Sequence, residues 1–140
     1  MKRVVLDSTV LVSAFLVRGG ISGNILELIH LHGHLMFHCD DILKETAKVL
    51  LTYPHIRRRY SYPDEIVRSY LLGLEAVTQP VIPKTVSVCR DPNDDVIIGC
   101  ALAANADVII TRDKDLLVIK MYKGIVIIRP EEAITLLRGD

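Results

Sequence analysis

Neither sign of charge is in excess. Lys and Arg number 17, Asp and Glu number 17, and the formal net charge is zero. A protein that grips nucleic acid by bulk charge is basic, so any contact with a polyanion must come from a local patch. Cysteine is scarce. Cys39, Cys89 and Cys100 are odd in number and form no Cys-x-x-Cys pair. That argues against a disulfide framework or a zinc knuckle and fits small buried hydrophobes in a reducing compartment. No apolar run reaches the roughly 18 residues a membrane span needs. Met1-Lys2-Arg3 leads into only Val4-Val5-Leu6 before Asp7, which is too short for the core of a signal peptide. These features predict a cytoplasmic protein. Internal repeats and low-complexity segments are missing too, and no composition shift marks a second domain. The 140 residues therefore read as one domain, 1–140, long enough to bury a core without disulfides or a structural metal.

Half of the residues are hydrophobic, and they fall in a regular order. Val4-Val5-Leu6 is a short β-branched run that ends at Asp7-Ser8-Thr9, which are helix-capping residue types. Helices are predicted over residues 10–17 and 22–32, a strand at Leu35-Met36-Phe37, and helices over 41–51 and 64–76. Residues 55–63 read as a polar connector. Residues 77–82 read as a short extended piece between prolines, and 84–89 as a loop or edge strand. Another helix covers 94–105. A strand at Val108-Ile109-Ile110 ends at Thr111-Arg112-Asp113, with a helical turn at 115–117. Residues 125–128 form the last strand, and Pro130 opens a final helix, as proline suits a first helical position. Short, continuously apolar strands alternating with helices specify a parallel sheet covered on both faces. The expected fold class is α/β, a three-layer α/β/α sandwich with a central parallel sheet.

In such sheets ligands bind outside the carboxyl ends of the strands, so the polar residues there are the candidates for function. Asp7 ends the first strand, and Asp113 follows Thr111 at the end of another. Asp94 and Asp95 begin a helix, and Glu45 lies one turn into the helix after Phe37. Each acid alone has an ordinary explanation. Asp7 could be a plain helix cap. Glu45 could be a solvated helix-face residue. Asp94 and Asp95 could complement a helix dipole, and Asp113 and Asp115 could be turn residues. Together they form a cluster that is costly unless a cation neutralises it. All-oxygen ligands select magnesium, manganese or calcium over zinc. Ions of this kind support phosphodiester cleavage.

The same residues resemble the PIN-domain family, and in particular the PIN-family toxins of bacterial and archaeal toxin–antitoxin systems. The resemblance is carried by Val4-Val5-Leu6-Asp7-Ser8-Thr9 and by Asp91-Pro92-Asn93-Asp94-Asp95 with the apolar helix after it. Its most specific part is Ala106-Asp107-Val108-Ile109-Ile110-Thr111-Arg112-Asp113-Lys114-Asp115. It implies a catalytic acidic quartet of Asp7, Glu45, Asp95 and Asp113. It implies Mg2+ or Mn2+ held by Asp7, Asp95 and Asp113, and support from Ser8, Thr9, Thr111, Asp94 and Asp115. At the adjacent pair, Asp95 is favoured and Asp94 stays open. The implied activity is divalent-metal-dependent hydrolysis of RNA. A cognate antitoxin and a homodimer are the implied partners. Thr9 departs from the Asn that similar chains often carry.

Two other features stand out. Arg57-Arg58-Arg59-Tyr60-Ser61-Tyr62 is the one basic cluster with aromatics, suited to pairing with phosphates and stacking on bases. A solvated connector is its plain alternative. His30, His32, His34 and His38 look like a metal tract, but they straddle a helix end and a glycine, so ordinary surface and strand-edge roles are favoured. A receiver domain needs paired acids after the first strand, and a haloacid-dehalogenase-like phosphatase needs Asp-x-Asp there. Asp7-Ser8-Thr9 supplies neither. The competing reading that survives is a catalytically silent PIN scaffold for RNA or protein binding.

Overall fold

The computed structural model describes residues 1–139. In chain order the elements are β1 (Arg3–Leu6), α1 (Ser8–Leu16), α2 (Ile21–Leu31), β2 (Leu35–His38), α3 (Asp40–Thr52), α4 (Pro54–Tyr60), α5 (Asp64–Val77), β3 (Gln79–Pro80), α6 (Pro92–Ala103), β4 (Val108–Ile110), α7 (Lys114–Leu117), β5 (Met121–Tyr122), β6 (Ile125–Ile128) and α8 (Pro130–Arg138). The strands form one six-stranded sheet in the order β3-β2-β1-β4-β6-β5. Every pairing is parallel except β5 with β6. Helices flank this mostly parallel sheet, as the alternation of apolar runs predicts.

The central strands are β1 and β4. Val4, Val5, Val108, Ile109 and Ile110 are fully buried. A strand covered on both faces has no solvent side to make polar, so its sequence does not alternate. The chain leaves β1 toward β2 on one side, and β4 joins β1 on the other. The β1/β4 boundary is thus the point where strand order reverses, the place in such sheets where a crevice opens.

Three differences from the sequence reading have physical causes. Residues 54–60, expected within a connector, form α4. Pro54 does not only end the preceding helix; it occupies the first turn of the next. The segment shows no apolar period, so nothing in its pattern signalled a helix. The antiparallel strand β5 was not expected either. Lys123 and Gly124 both adopt positive φ (49° and 83°), which closes a two-residue hairpin between Tyr122 and Ile125 in the way primed turns do. Lys-Gly is not a strong hairpin signal. Third, Gln79–Pro80 is a true edge strand on β2, a position where proline's missing N–H costs nothing.

Two residues of the histidine tract, His34 and His38, are used structurally. The Lys2 N–H donates to His34 Nδ1 at 2.9 Å, so His34 Nε2–H donates to the Leu137 carbonyl at 2.6 Å. That ring ties the N-terminus to α8. Thr78 donates its hydroxyl to Leu74, so it accepts from His38 Nδ1 at 2.6 Å. No helix among the described residues is by itself long and apolar enough to cross a membrane.

Candidate active site

A cavity of about 600 Å³ opens at the carboxyl ends of β1 and β4, lined by acids from four elements or their caps. Asp7 is the residue between β1 and α1. It is only 5% exposed, and a carboxylate at such depth needs donors. Three reach it. Ser8 N–H donates to Oδ1 at 2.8 Å, and the hydroxyls of Thr9 and Thr111 both donate to Oδ2 at 2.8 Å. Asp7 is also the N-cap of α1, where the helix dipole favours negative charge.

Thr111 is fully buried at the end of β4. While it donates to Asp7, its oxygen accepts the Asp113 N–H at 2.9 Å. One hydroxyl therefore fixes the spacing between two site acids. Asp113 caps α7 and accepts the Asp115 N–H at 2.9 Å. Thr9, in the first turn of α1, closes the frame by accepting the Arg112 N–H at 3.1 Å. Of the expected supporting hydroxyls, Thr9 and Thr111 hold Asp7, whereas Ser8 contributes its backbone N–H.

The adjacent pair divides its labour. Asp91 caps α6 and Pro92 occupies its first turn, so Asp94 and Asp95 sit side by side near the helix start, about 100° apart around it. Asp94 faces the cavity. Oxygens of Asp94, Asp113 and Asp115 lie within 4.8 Å of one another. Asp95 turns away: its Oδ1 accepts the amides of Val88 and Cys89 at 2.9 and 2.7 Å. It is not among the cavity-lining residues. The expectation had favoured Asp95 for the third acid. The structure places Asp94 in the cavity instead and gives Asp95 to the loop before the helix.

The ionisation of the two residues follows from this placement. Burial and the neighbouring Asp113 carboxylate push Asp94 up to about 7. The Cys89 and Val88 amides hold Asp95 below the ordinary carboxylate range. Asp95 in turn helps burial push the Cys89 thiol up to about 12. Oxygens of Asp94 and Asp113 lie within 4.8 Å of one another, so each disfavours the other's charge and the pair favours binding a proton. A divalent cation would take the place of that proton. The donors are all carboxylate oxygens, a hard set that suits magnesium or manganese. Asp94, Asp113 and Asp115 bring their oxygens within 4.8 Å of one another and could hold it, with Asp7 lining the same cavity.

Glu45 reaches the cavity from α3, and sequence reasoning missed its neighbours. Asp41, Lys44, Glu45 and Lys48 all line the cavity. They stand at i, i+3, i+4 and i+7, one stripe of the helix, while Ile42, Thr46 and Leu50 bury the other side. The signal was present in Asp41-Ile42-Leu43-Lys44-Glu45-Thr46-Ala47-Lys48, as a polar stripe of helical period. Asp91 and Asn93 also line the cavity.

The basic cluster lies elsewhere. Arg57 is bound internally: it donates to the carbonyls of Leu50 and Tyr62 and pairs with Asp64 at 2.7 Å. Arg58, Arg59 and Tyr60 are exposed on α4, with Arg59 over the Tyr60 ring. None of the four lines the carboxylate cavity.

A carboxylate cavity at the switch point of a mostly parallel sheet marks an α/β protein whose site lies at the carboxyl ends of its strands. Among such proteins this chain belongs to the PIN-domain family, whose profile matches residues 3–115. PIN domains are generally nucleases. The chain is 34% identical over 116 residues to MJ1680 of Methanocaldococcus jannaschii, an uncharacterised protein, covering 82% of this chain and 73% of that one. It shares its fold with PAE2754 of Pyrobaculum aerophilum (TM-score 0.66, 14% identity, 99% of this chain and 91% of that one). It shares it also with a chain of VapBC2 of Rickettsia felis, solved bound to a DNA fragment from its promoter (TM-score 0.61, 15% identity, 91% of this chain and 98% of that one).

Proposed function

We propose that this protein is a divalent-metal-dependent endoribonuclease and the toxin of a toxin–antitoxin pair. The observation that carries the reading is the carboxylate frame. Asp7 and Asp113 are clamped by one buried threonine, and the oxygens of Asp94, Asp113 and Asp115 lie within 4.8 Å of one another, a crowding that a cation would relieve. Asp7, Asp94 and Asp113 would hold Mg2+ or Mn2+, which would supply a nucleophile from water at neutral pH and neutralise charge on the phosphate. The protein's own groups do the rest. Thr9, Thr111 and the Ser8 N–H hold the Asp7 carboxylate in place. Glu45, on the opposite wall, is placed to accept a proton from a water in the cavity. Asp95 anchors residues 88–89 and so fixes the start of α6 and the aim of Asp94.

The family supports hydrolysis of a phosphodiester, and the likeness to the VapBC2 chain supports a cognate antitoxin as partner. Ile66, Leu72 and Val77 are exposed apolar residues of α5, and they suit the homodimer the family resemblance implies. The test is cleavage of a panel of structured RNAs with Mn2+, with Mg2+ and with EDTA, beside Asp7→Asn. The reading expects metal-dependent cutting that the variant lacks. Cutting by Asp7→Asn at the wild-type rate refutes the site. No cutting of any RNA despite measured metal binding points to the silent scaffold.

A further inference from the structure

The carboxylate cavity is not uniformly acidic. Asp7, Asp41, Glu45, Asp91, Asp94 and Asp113 line it, and so do Lys44 and Lys48. Both lysines are exposed on α3. Among the described residues neither forms an ion pair with any carboxylate within 4.0 Å, although Asp41 and Glu45 lie three positions before them on the same helix face. Lysines on a helix wall are most often solvated, or paired to a neighbour at this spacing. These two are unpaired and look into a cavity that repels polyanions.

We propose that Lys44 and Lys48 are the substrate-positioning wall of this site, each holding one of two successive phosphates of a single RNA strand. The inference rests on the nuclease reading above and deepens it. Residues four apart on a helix are separated by about 6 Å along its axis, a spacing at which neighbouring phosphates of one strand can each meet an ammonium group. Lysine is suited to this as a compact charge on a flexible stem, which grips a phosphate without reading a base. The carboxylates occupy the cavity floor at the strand ends, and the lysine row runs along α3 beside Glu45. A strand gripped by Lys44 and Lys48 thus passes over the acids, and its charge is offset by residues that take no part in holding the cation.

The test uses full-length wild type, the Lys44→Gln/Lys48→Gln double variant, and Lys120→Gln/Lys123→Gln as a charge-matched control beside the β5–β6 hairpin. Each is titrated against a fluorescein-labelled single-stranded RNA dodecamer by anisotropy, from 50 to 200 mM salt. Calcium serves as the cation, and gels confirm that the RNA stays intact. Binding of Mn2+ is measured separately by calorimetry. Loss of two phosphate contacts lowers the salt slope by about 1.4, and it weakens binding by about 60-fold at 50 mM and about 10-fold at 200 mM. The proposal expects that change in the Lys44/Lys48 variant alone, with Mn2+ affinity unchanged within twofold. An unchanged slope and affinity, or an equal loss in the control, overturns the lysine wall while leaving the nuclease reading standing. A wild type that binds no RNA overturns both.

Discussion

Thr111 is the buried hinge of the proposed site, and replacing it tests the frame directly. Thr111→Val keeps the shape and removes the hydroxyl. Two bonds go with it: the 2.8 Å donation to Asp7 Oδ2 and the 2.9 Å acceptance from Asp113 N–H. A hydrogen bond to a charged group contributes about 1.5–3 kcal/mol, and an orphaned buried donor costs about 1–3 kcal/mol. Asp7 Oδ2 keeps its Thr9 partner, and Asp113 is only partly buried, so the bottom of the combined range or slightly below it applies, about 2–4 kcal/mol. Unfolding entropy of about 2.1 cal/mol/K per residue gives about 0.3 kcal/mol/K for this chain length. The expected fall in Tm is about 7–13 °C.

Thr111→Ser separates the hydroxyl from the methyl group. It keeps both bonds and loses one buried methyl, about 1 kcal/mol, or about 3 °C. Differential scanning calorimetry of the three proteins in EDTA is the assay. A valine variant within about 3 °C of wild type, or a serine variant that falls as far as the valine one, refutes the claim that one hydroxyl holds the two acids. In the metal-loaded protein Thr111→Val is further expected to weaken Mn2+ binding more than Thr111→Ser does, since only the former frees Asp113 from Asp7.

Metal binding should depend on pH through Asp94, which titrates at about 7. One displaced proton makes the apparent Mn2+ affinity fall about tenfold between pH 8 and pH 6, and a flat calorimetric profile would contradict the assignment. The same raised value has a consequence for the metal-free protein. Its folded form binds the proton more tightly than its unfolded form, so that contribution is full below the ordinary carboxylate value and is lost as pH rises through about 7. Asp94→Asn is therefore expected to raise Tm in EDTA at pH 8 and to abolish the stabilisation that Mn2+ gives. Asp95→Asn is expected to do the opposite: it lowers Tm near neutral pH, with a deficit that disappears as pH falls through Asp95's depressed value, because Asp95 is held low by the Val88 and Cys89 amides. Gly99→Ala is expected to destabilise by about 1–3 kcal/mol in urea titration, since a Cβ there overlaps the Lys84 carbonyl; wild-type stability would show that the segment can move aside.

Much of the fold was legible because its signals are local. Val4-Val5-Leu6 and Val108-Ile109-Ile110 are apolar without alternation, and only a strand buried on both faces has use for that pattern. Asp7 and Asp113 could be placed because Asp7 directly follows one of those runs and Asp113 lies three residues past the other. The connector that became α4 could not be read, because its helix is held by Arg57 reaching Leu50, Tyr62 and Asp64 and not by an apolar stripe. The hairpin at Lys123-Gly124 escaped because a lysine with positive φ has no compositional mark. The cavity wall of α3 was partly visible. Glu45 was singled out, but the lysines beside it were not, and only the cavity gives that stripe something to face.

The choice between Asp94 and Asp95 shows why residue spacing alone does not identify a site. Both stand in the first turns of α6, and both are plausible on helix-dipole grounds. What separates them is the rotation of about 100° between neighbours, and that rotation has meaning only once something fixes the helix about its own axis. Three contacts do so. Asp91 caps the helix by accepting the Asn93 N–H at 2.9 Å. Gly99, buried in the middle of α6, lets the backbone at Lys84 approach, and the Lys84 N–H donates to the Gly99 carbonyl at 3.0 Å. That contact brings the chain past α6, so that the amides of Val88 and Cys89 meet Asp95 and leave Asp94 to the cavity. The approach of Lys84 to Gly99 thus helps decide which acid faces the site. The role of Asp95 is consequently to aim its neighbour, and its loss should misdirect Asp94 before it removes any charge from the cavity.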